Sequence, residues 1–188
     1  MQRLSGCWVA MMLLLASLLP QLTWSQTPAS PTTPVHISAA LSAAQLIGTG
    51  SYTWLGLKIY DAQLWADGKN FDRDRPSQKP FALDLRYARK LQGKKIAEAS
   101  IDEIKKLGIG TPAQRDVWLA AMTALFPDVE KGWRLTGMHL PEEGARFFLN
   151  GTLLGDIADP AFSTAFFAIW LDPKTSAPKL RLALLDRQ

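Results

Sequence analysis

The sequence predicts an α+β fold in which helices pack on one face of an antiparallel sheet. Three observations predict it. Strand-like alternation occupies the first half of the chain, at Leu57 to Trp65 and at Phe81 to Tyr87. Helical periodicity replaces it between Lys94 and Phe126. Alternation returns from Trp133 to Ile157 in segments separated by hairpin turns, before a closing helix. Strands joined by short turns, with helices grouped together, belong to α+β and not to a parallel α/β sheet.

The first 25 residues are expected to leave. Arg3 gives a basic start, Trp8 to Leu19 an apolar run, and Pro20 a break. Thr23-Trp24-Ser25 then places small residues where a signal peptidase reads, with cleavage expected before Gln26. A retained anchor is the competing reading, but the run is shorter than the roughly 20 apolar residues a spanning helix needs. Leu4-Ser5-Gly6-Cys7 has lipoprotein-box spelling, yet it precedes the apolar run and so cannot be its cleavage site. The expectation is an exported protein, periplasmic if the cell has an outer membrane. Cys7 is the single cysteine. Its loss with the signal excludes a disulfide, a cysteine nucleophile and a Cys-based zinc site from the mature chain. Residues 26–34, rich in Pro, Thr and Ser, read as a disordered leader. Residues 35–188 read as one domain, large enough to bury roughly 70% of its unfolded surface.

Within that domain, Gly48-Thr49-Gly50 reads as a tight turn and Tyr52 to Trp54 as a short aromatic strand. Leu57 to Trp65 has no purely polar face, which predicts a strand covered on both sides. Ala66 to Pro80 is a polar loop. Phe81 to Tyr87 sets Phe81, Leu83, Leu85 and Tyr87 against Ala82, Asp84 and Arg86, predicting a half-buried strand. A helix follows over Lys94 to Leu107, with Ile96, Ser100, Ile104 and Leu107 as its stripe, and Gly108 stops it. Thr111 caps the next helix and Pro112 opens it; Val117, Ala121, Ala124 and Leu125 are expected to face inward before Pro127. Trp133 to Leu140, Ala145 to Leu149 and Thr152 to Ile157 form a meander, turned by Pro141 to Gly144 and by Asn150-Gly151. Asp159-Pro160 starts a helix with Phe162, Ala165, Phe166, Ile169 and Trp170 on one face, and Pro178 to Leu185 forms a last short helix.

Charge and chemistry exclude more than they select. With Arg3 removed, 20 basic residues face 17 acidic ones. The densest basic group, Arg86, Arg89, Lys90, Lys94 and Lys95, is too dispersed for a nucleic-acid face. The only two histidines, His36 and His139, lack partners at ligand spacing, so no metal site is expected. The glycine pair precedes a strand, and a phosphate cradle needs a helix start there. Glu142-Glu143 and Asp72 with Asp74 lie in hydrophilic loops, where carboxylates keep ordinary acidity and serve poorly as general acids. No nucleophile elbow, zinc-protease or phosphate-loop motif occurs, and no cofactor is expected.

The aromatics Tyr52, Trp54, Tyr60, Trp65 and Tyr87 all fall on strands of the first half. One reading makes them core. The other makes an apolar cleft between sheet and helices, with tyrosine hydroxyls and Arg86 as polar anchors for an amphipathic small molecule. On that reading the ligand-binding candidates are Tyr52, Tyr60, Arg86 and Tyr87.

Several stretches carry a resemblance. They are Gly48-Thr49-Gly50 with Trp54 to Trp65, Leu83 to Arg89, Ser100 to Glu103, Phe147 to Gly151, Asp159 to Phe162 and Phe166 to Leu171. Through them the chain resembles the chalcone isomerase-like family, in its bacterial exported branch. The resemblance implies an open-faced β-sandwich, a curved antiparallel sheet covered by helices. It also implies one of three roles, because the family holds enzymes that close chalcones to flavanones, fatty-acid-binding members, and members with no known ligand. The enzymes carry an arginine just after the glycine turn. Here Ser51 and Tyr52 stand there, and no basic residue precedes Lys58. The enzymes' strand threonine aligns with Tyr60, their helix tyrosine with Ile96 and their helix asparagine with Glu103. Ring closure without that arginine would lack its main oxyanion stabiliser. The resemblance therefore implies a non-catalytic exported domain that binds a fatty-acid-like or aromatic small molecule. Two alternatives stand: an intramolecular lyase with a rearranged site, and an interaction protein whose cleft is only core.

Overall fold

Pairing of neighbouring segments, one hairpin after another, builds the sheet. The computed structural model describes residues 32–186. The expected signal peptide, Cys7 and most of the leader lie outside these residues. A short helix α1 (Val35–Ala40) precedes strands β1 (Ala44–Trp54), β2 (Leu57–Asp67) and β3 (Phe81–Tyr87). Helices α2 (Gly93–Lys106) and α3 (Pro112–Leu125) follow. Strands β4 (Arg134–Leu140), β5 (Gly144–Leu149) and β6 (Thr152–Ile157) come next, then α4 (Pro160–Leu171) and α5 (Pro178–Leu184). The six strands lie side by side in chain order and every pair is antiparallel. This is the α+β open-faced sandwich, with α2 to α5 on one face of the sheet.

Register decides what each face holds. The inner face carries Ala62, Leu64, Leu83, Leu85 and Phe147, packed against Ala97, Ile104, Trp118, Phe162 and Phe166 of the helices. The outer face is mostly polar. At one end it carries a small apolar cluster of Trp65, Ala82 and Met138, covered by Ile37 of α1. That cover, together with the polar contacts around Asp84, buries Ala82 and Asp84 completely, so β3 is enclosed on both faces as far as Leu85, with Arg86 alone exposed, and not half-buried as its alternation predicts. β2, expected to be covered on both sides, is exposed over Leu57 and Lys58, where its hairpin reaches beyond the helices.

The glycine pair is not a turn. Gly48 and Gly50 sit inside β1, on the inner face opposite Leu64 and Ala62. A β-carbon on Gly48 would lie 2.3 Å from the Ala183 carbonyl oxygen, and one on Gly50 would lie 2.7 Å from Leu180 Cδ1. The two glycines clear a track on which α5 lies against the strand backbone. In α3 the buried residues are Trp118 and Met122; of the expected inward set Ala121 and Leu125 pack partly buried against the core, while Ala124 is exposed and Val117 is 66% exposed. The stripe follows the largest apolar side chains, and the Trp118 indole Nε1 donates to Asp159 at 2.8 Å, tying α3 to the start of α4.

Several local readings hold in detail. Thr111 and Gln114 form a reciprocal capping box at α3. Asp159 caps α4 by accepting from the backbone of Ala161 and Phe162. Asn150-Gly151 turns β5 into β6 with φ of 50° and 86°. The β1–β2 turn uses the same left-handed pair at Leu55 and Gly56, with φ of 48° and 76°. For a leucine this conformation costs about 1–2 kcal/mol. His139 is a fully buried strand residue: Nε2 donates to the Ser77 carbonyl at 2.8 Å, and Nδ1 accepts from the Ser163 hydroxyl at 2.7 Å. His36, expected at the edge of a disordered segment, instead sits in α1 with Nε2 2.9 Å from the Thr136 hydroxyl.

Candidate functional site

Three of the four candidate residues meet. Tyr52 pairs with Tyr60 across β1 and β2, and Tyr60 pairs with Tyr87 across β2 and β3. Cross-strand partners point to the same face, so the three rings form one row on the helix-covered side. Tyr52 stacks on Tyr60 at 5.3 Å, and Tyr60 meets Tyr87 edge-on at 6.0 Å. Burial deepens along the row: Tyr52 is partly exposed at the outer end, and Tyr87 is buried.

Trp170 on α4 completes the row. Its indole Nε1 donates to the Tyr60 hydroxyl oxygen at 3.0 Å. A phenol offers one donor and can accept as well. Tyr60 spends acceptor capacity on Trp170, and no acceptor among the described residues takes its proton. Burial pushes the Tyr60 and Tyr87 hydroxyls well above the ordinary tyrosine range, so both stay protonated in water at neutral pH. Nearby negative charge, including Glu103, pushes Tyr60 the same way. Glu103 on α2 accepts from Ser176 at 2.5 Å and from Lys106 at 2.7 Å. The row therefore presents apolar ring surface and two neutral hydroxyl donors, Tyr60 and Tyr87, of which Tyr60 is the one fixed by a side-chain partner. It has no phenolate base, and the recorded partner of Tyr60 is an indole and not a cation.

Arg86 lies elsewhere. It is next to Tyr87 in the strand, so its side chain emerges on the opposite face, and the period-2 rule alone separates the two. There Arg86 donates to Asp61 Oδ2 at 3.0 Å, while Lys58 and Ser51 reach Oδ1 at 2.5 and 2.6 Å. Burial pushes the Asp61 carboxyl up, but the hydrogen bonds from Lys58, Ser51 and Arg86 outweigh it and hold the group down at about 2. These residues line a polar groove of about 560 Å³ with Thr49, Gln63 and Arg134. Beside it, the buried Asp84 accepts from Arg134 and, at 2.8 Å, from Thr136. His36 donates in turn to Thr136, and burial lowers its basicity.

Sequence reasoning missed Trp170 as the partner of Tyr60, since it appeared only as one member of a helix stripe. It also missed the outer groove. Asp84 and Thr136, polar residues each set between apolar neighbours in their strands, were the available signal for it. Among the described residues no group of three His, Cys, Asp or Glu side chains could hold a metal ion, and no helix is long and apolar enough to cross a membrane.

Comparison with known proteins agrees with this architecture. The profile described as "Chalcone isomerase-like" matches residues 29–186. A Haemophilus influenzae protein of uncharacterised function is 32% identical over 143 residues, covering 76% of this chain and 68% of that protein. A crystal structure of an Arabidopsis thaliana fatty-acid binding protein superposes with a TM-score of 0.63 at 15% identity, covering 77% of this chain and 87% of that one.

Proposed function

Because this chain belongs to the chalcone isomerase-like family, we propose that it is a non-catalytic carrier of an apolar small molecule. The ligand lies between the inner face of the sheet and helices α2 and α4, with Tyr60 as its polar anchor. One observation carries the reading: the Tyr60 hydroxyl is protonated, buried and fixed by Trp170, and its proton is left for another acceptor. Such a group recognises a neutral oxygen at the head of an apolar body, as in a protonated fatty acid or an aromatic ketone. The Arabidopsis neighbour is described as a fatty-acid binding protein, which supports the fatty-acid-like class. Catalytic ring closure is disfavoured by the same geometry. A cyclisation must stabilise developing negative charge, and a cation would contribute most to that. Tyr60 has an indole partner, with the Glu103 carboxylate adding charge of the wrong sign.

In this structure the tyrosine row and Trp170 pack against each other, so entry requires Tyr52, the ring at the β1 end of the row, to swing off Tyr60. The test is a titration of the protein with cis-parinaric acid and, separately, with chalcone. Saturable binding that weakens roughly five- to tenfold in Tyr60→Phe supports the reading, as expected for loss of one buried hydrogen bond. Turnover of chalcone, or equal affinity in the variant, overturns it. We propose export for the whole chain, supported by Arg3, the apolar run and Thr23-Trp24-Ser25.

A further inference from the structure

The hairpin between β1 and β2 ends in Trp54-Leu55-Gly56-Leu57, and its three large side chains stand in water. Trp54 is 58% exposed, Leu55 79% and Leu57 48%. Single exposed leucines are ordinary, but a contiguous apolar tip is not. The turn also holds Leu55 in the left-handed region, where Asn and Gly are the usual occupants of a two-residue hairpin. The β5–β6 turn of this same chain uses that usual pair, Asn150-Gly151. Leu55 is thus unfavourable in both its backbone and its solvent environment, which points to a partner that buries it.

Positive charge lies directly behind the tip. Lys58, Arg86 and Arg134 line the outer groove, and Arg86 and Arg134 are direct cross-strand partners. Like charges placed opposite each other repel. Asp61 and Asp84 neutralise two of the three cations, and one positive charge remains in surplus. Trp133, 38% exposed, belongs to the same end of the sheet, since its carbonyl accepts from the Tyr87 backbone.

We propose that this end of the sheet docks on the surface of an anionic phospholipid bilayer. Trp54, Leu55 and Leu57 enter the boundary between headgroups and acyl chains, and Lys58, Arg86 and Arg134 meet the headgroup phosphates. An apolar tip flanked on one face by a cationic groove combines insertion with attraction to anionic lipid, and tryptophan favours that depth. The surplus positive charge beside the tip favours an anionic lipid surface as the occupant. The proposal goes beyond cleft binding and stands without it, although Tyr52, two residues before the tip, would bring the mouth of the cleft to the membrane.

The test uses the full chain and a local readout, because the N-terminal apolar run could bind vesicles by itself. Amide exchange over residues 53–58 is followed by mass spectrometry with vesicles of equal parts phosphatidylglycerol and phosphatidylcholine. Slowing by roughly fivefold or more is expected, lost in Leu55→Asn and weakened by raised salt. Leu55→Asn suits the turn, so its loss of protection would not reflect unfolding. Double substitution of the exposed Lys58 and Arg86 by Gln is expected to remove most of the preference for the anionic lipid. Unchanged exchange at the tip when the chain is vesicle-bound overturns the proposal, as does equal protection of Leu55→Asn. Protection that rises with protein concentration in the absence of vesicles also overturns it, in favour of contact between copies of this chain.

Discussion

The indole Nε1 of Trp170 donates to the hydroxyl of Tyr60 at 3.0 Å, joining α4 to the second strand across 110 residues of chain. Both partners come from apolar patterns, one a helix stripe and the other a strand, and the bond fixes how deeply the helix sits on the sheet. Tyr60→Phe removes the acceptor and leaves a buried donor unpaired. The expected cost is about 1–3 kcal/mol, read from the midpoint of urea denaturation. Trp170→Phe is expected to cost more, through lost packing against Phe166. The double variant should cost less than the sum of the two single changes, and strict additivity would show that the bond contributes nothing.

Gly48→Ala is expected to be among the most damaging small substitutions in the domain. Its new methyl would sit 2.3 Å from the Ala183 carbonyl oxygen, which is backbone and cannot rotate away. Either α5 lifts off β1 or the strand shifts, at about 3 kcal/mol. Gly50→Ala meets the end of the Leu180 side chain first, at 2.7 Å, and that can adjust. Its expected cost is about 1 kcal/mol. Thermal unfolding of the two variants side by side checks the order; a milder effect at Gly48 would contradict α5 docking on the strand.

These two positions also show what could be read in advance. From Leu57 onward element identity came through, because periodicity, the Thr111 and Asp159 caps and Asn150-Gly151 are local signals, whereas α1 and the part of β1 before Tyr52 went unread. Gly48 and Gly50 misled, since a glycine needed for close approach of a helix some 130 residues away has the same spelling as one needed for a turn. Trp118 displaced Val117 from the core because its indole had a distant partner, Asp159, that no local pattern reveals. For the candidate site, the tyrosine row follows from strand register, which the alternation only partly specifies. Arg86 was separable from Tyr87 by period alone. The Asp84, Thr136 and His36 chain required knowing that β3, β4 and α1 meet.

Stability should fall as pH drops below neutrality. Burial lowers both His139 and His36 below the ordinary value of 6.5. A group with a depressed folded-state pKa contributes fully above its unfolded value, and the contribution is lost as pH falls towards the folded value. As pH falls below 6.5 the histidines are therefore the first of these groups to weaken the fold. The urea midpoint is expected to be lower at pH 5 than at pH 7.5, and His36→Gln should reduce the difference. A midpoint that does not move over this range would show that neither imidazole is held neutral by the fold. Loss of the carboxylate contributions comes later. Asp61, held at about 2 against an ordinary 3.8, gives way only in strong acid.

Leu55→Asn should stabilise the isolated protein. The left-handed conformation at φ of 48° is unfavourable for leucine and accessible to asparagine, and Leu55, 79% exposed, loses almost no packing on substitution. A gain of about 0.5–1 kcal/mol is expected in denaturant, with no change in the slope against denaturant concentration. A destabilised variant would mean that Leu55 already packs on something within the chain.

Processing of the amino terminus is testable without knowing the ligand. If residues 1–25 act as a signal peptide, the protein recovered from the periplasm of a Gram-negative host begins at Gln26 and carries no thiol, since Cys7 is the sole cysteine. Intact-mass measurement distinguishes this from a retained anchor, which would keep the full mass in the membrane fraction. Ser25→Arg puts a large charged residue where the peptidase requires a small one, so unprocessed precursor should accumulate. The described domain starts only after this segment, at residue 32, so the change should leave the sheet and its tyrosine row intact. Normal processing of Ser25→Arg would move the cleavage site away from Gln26.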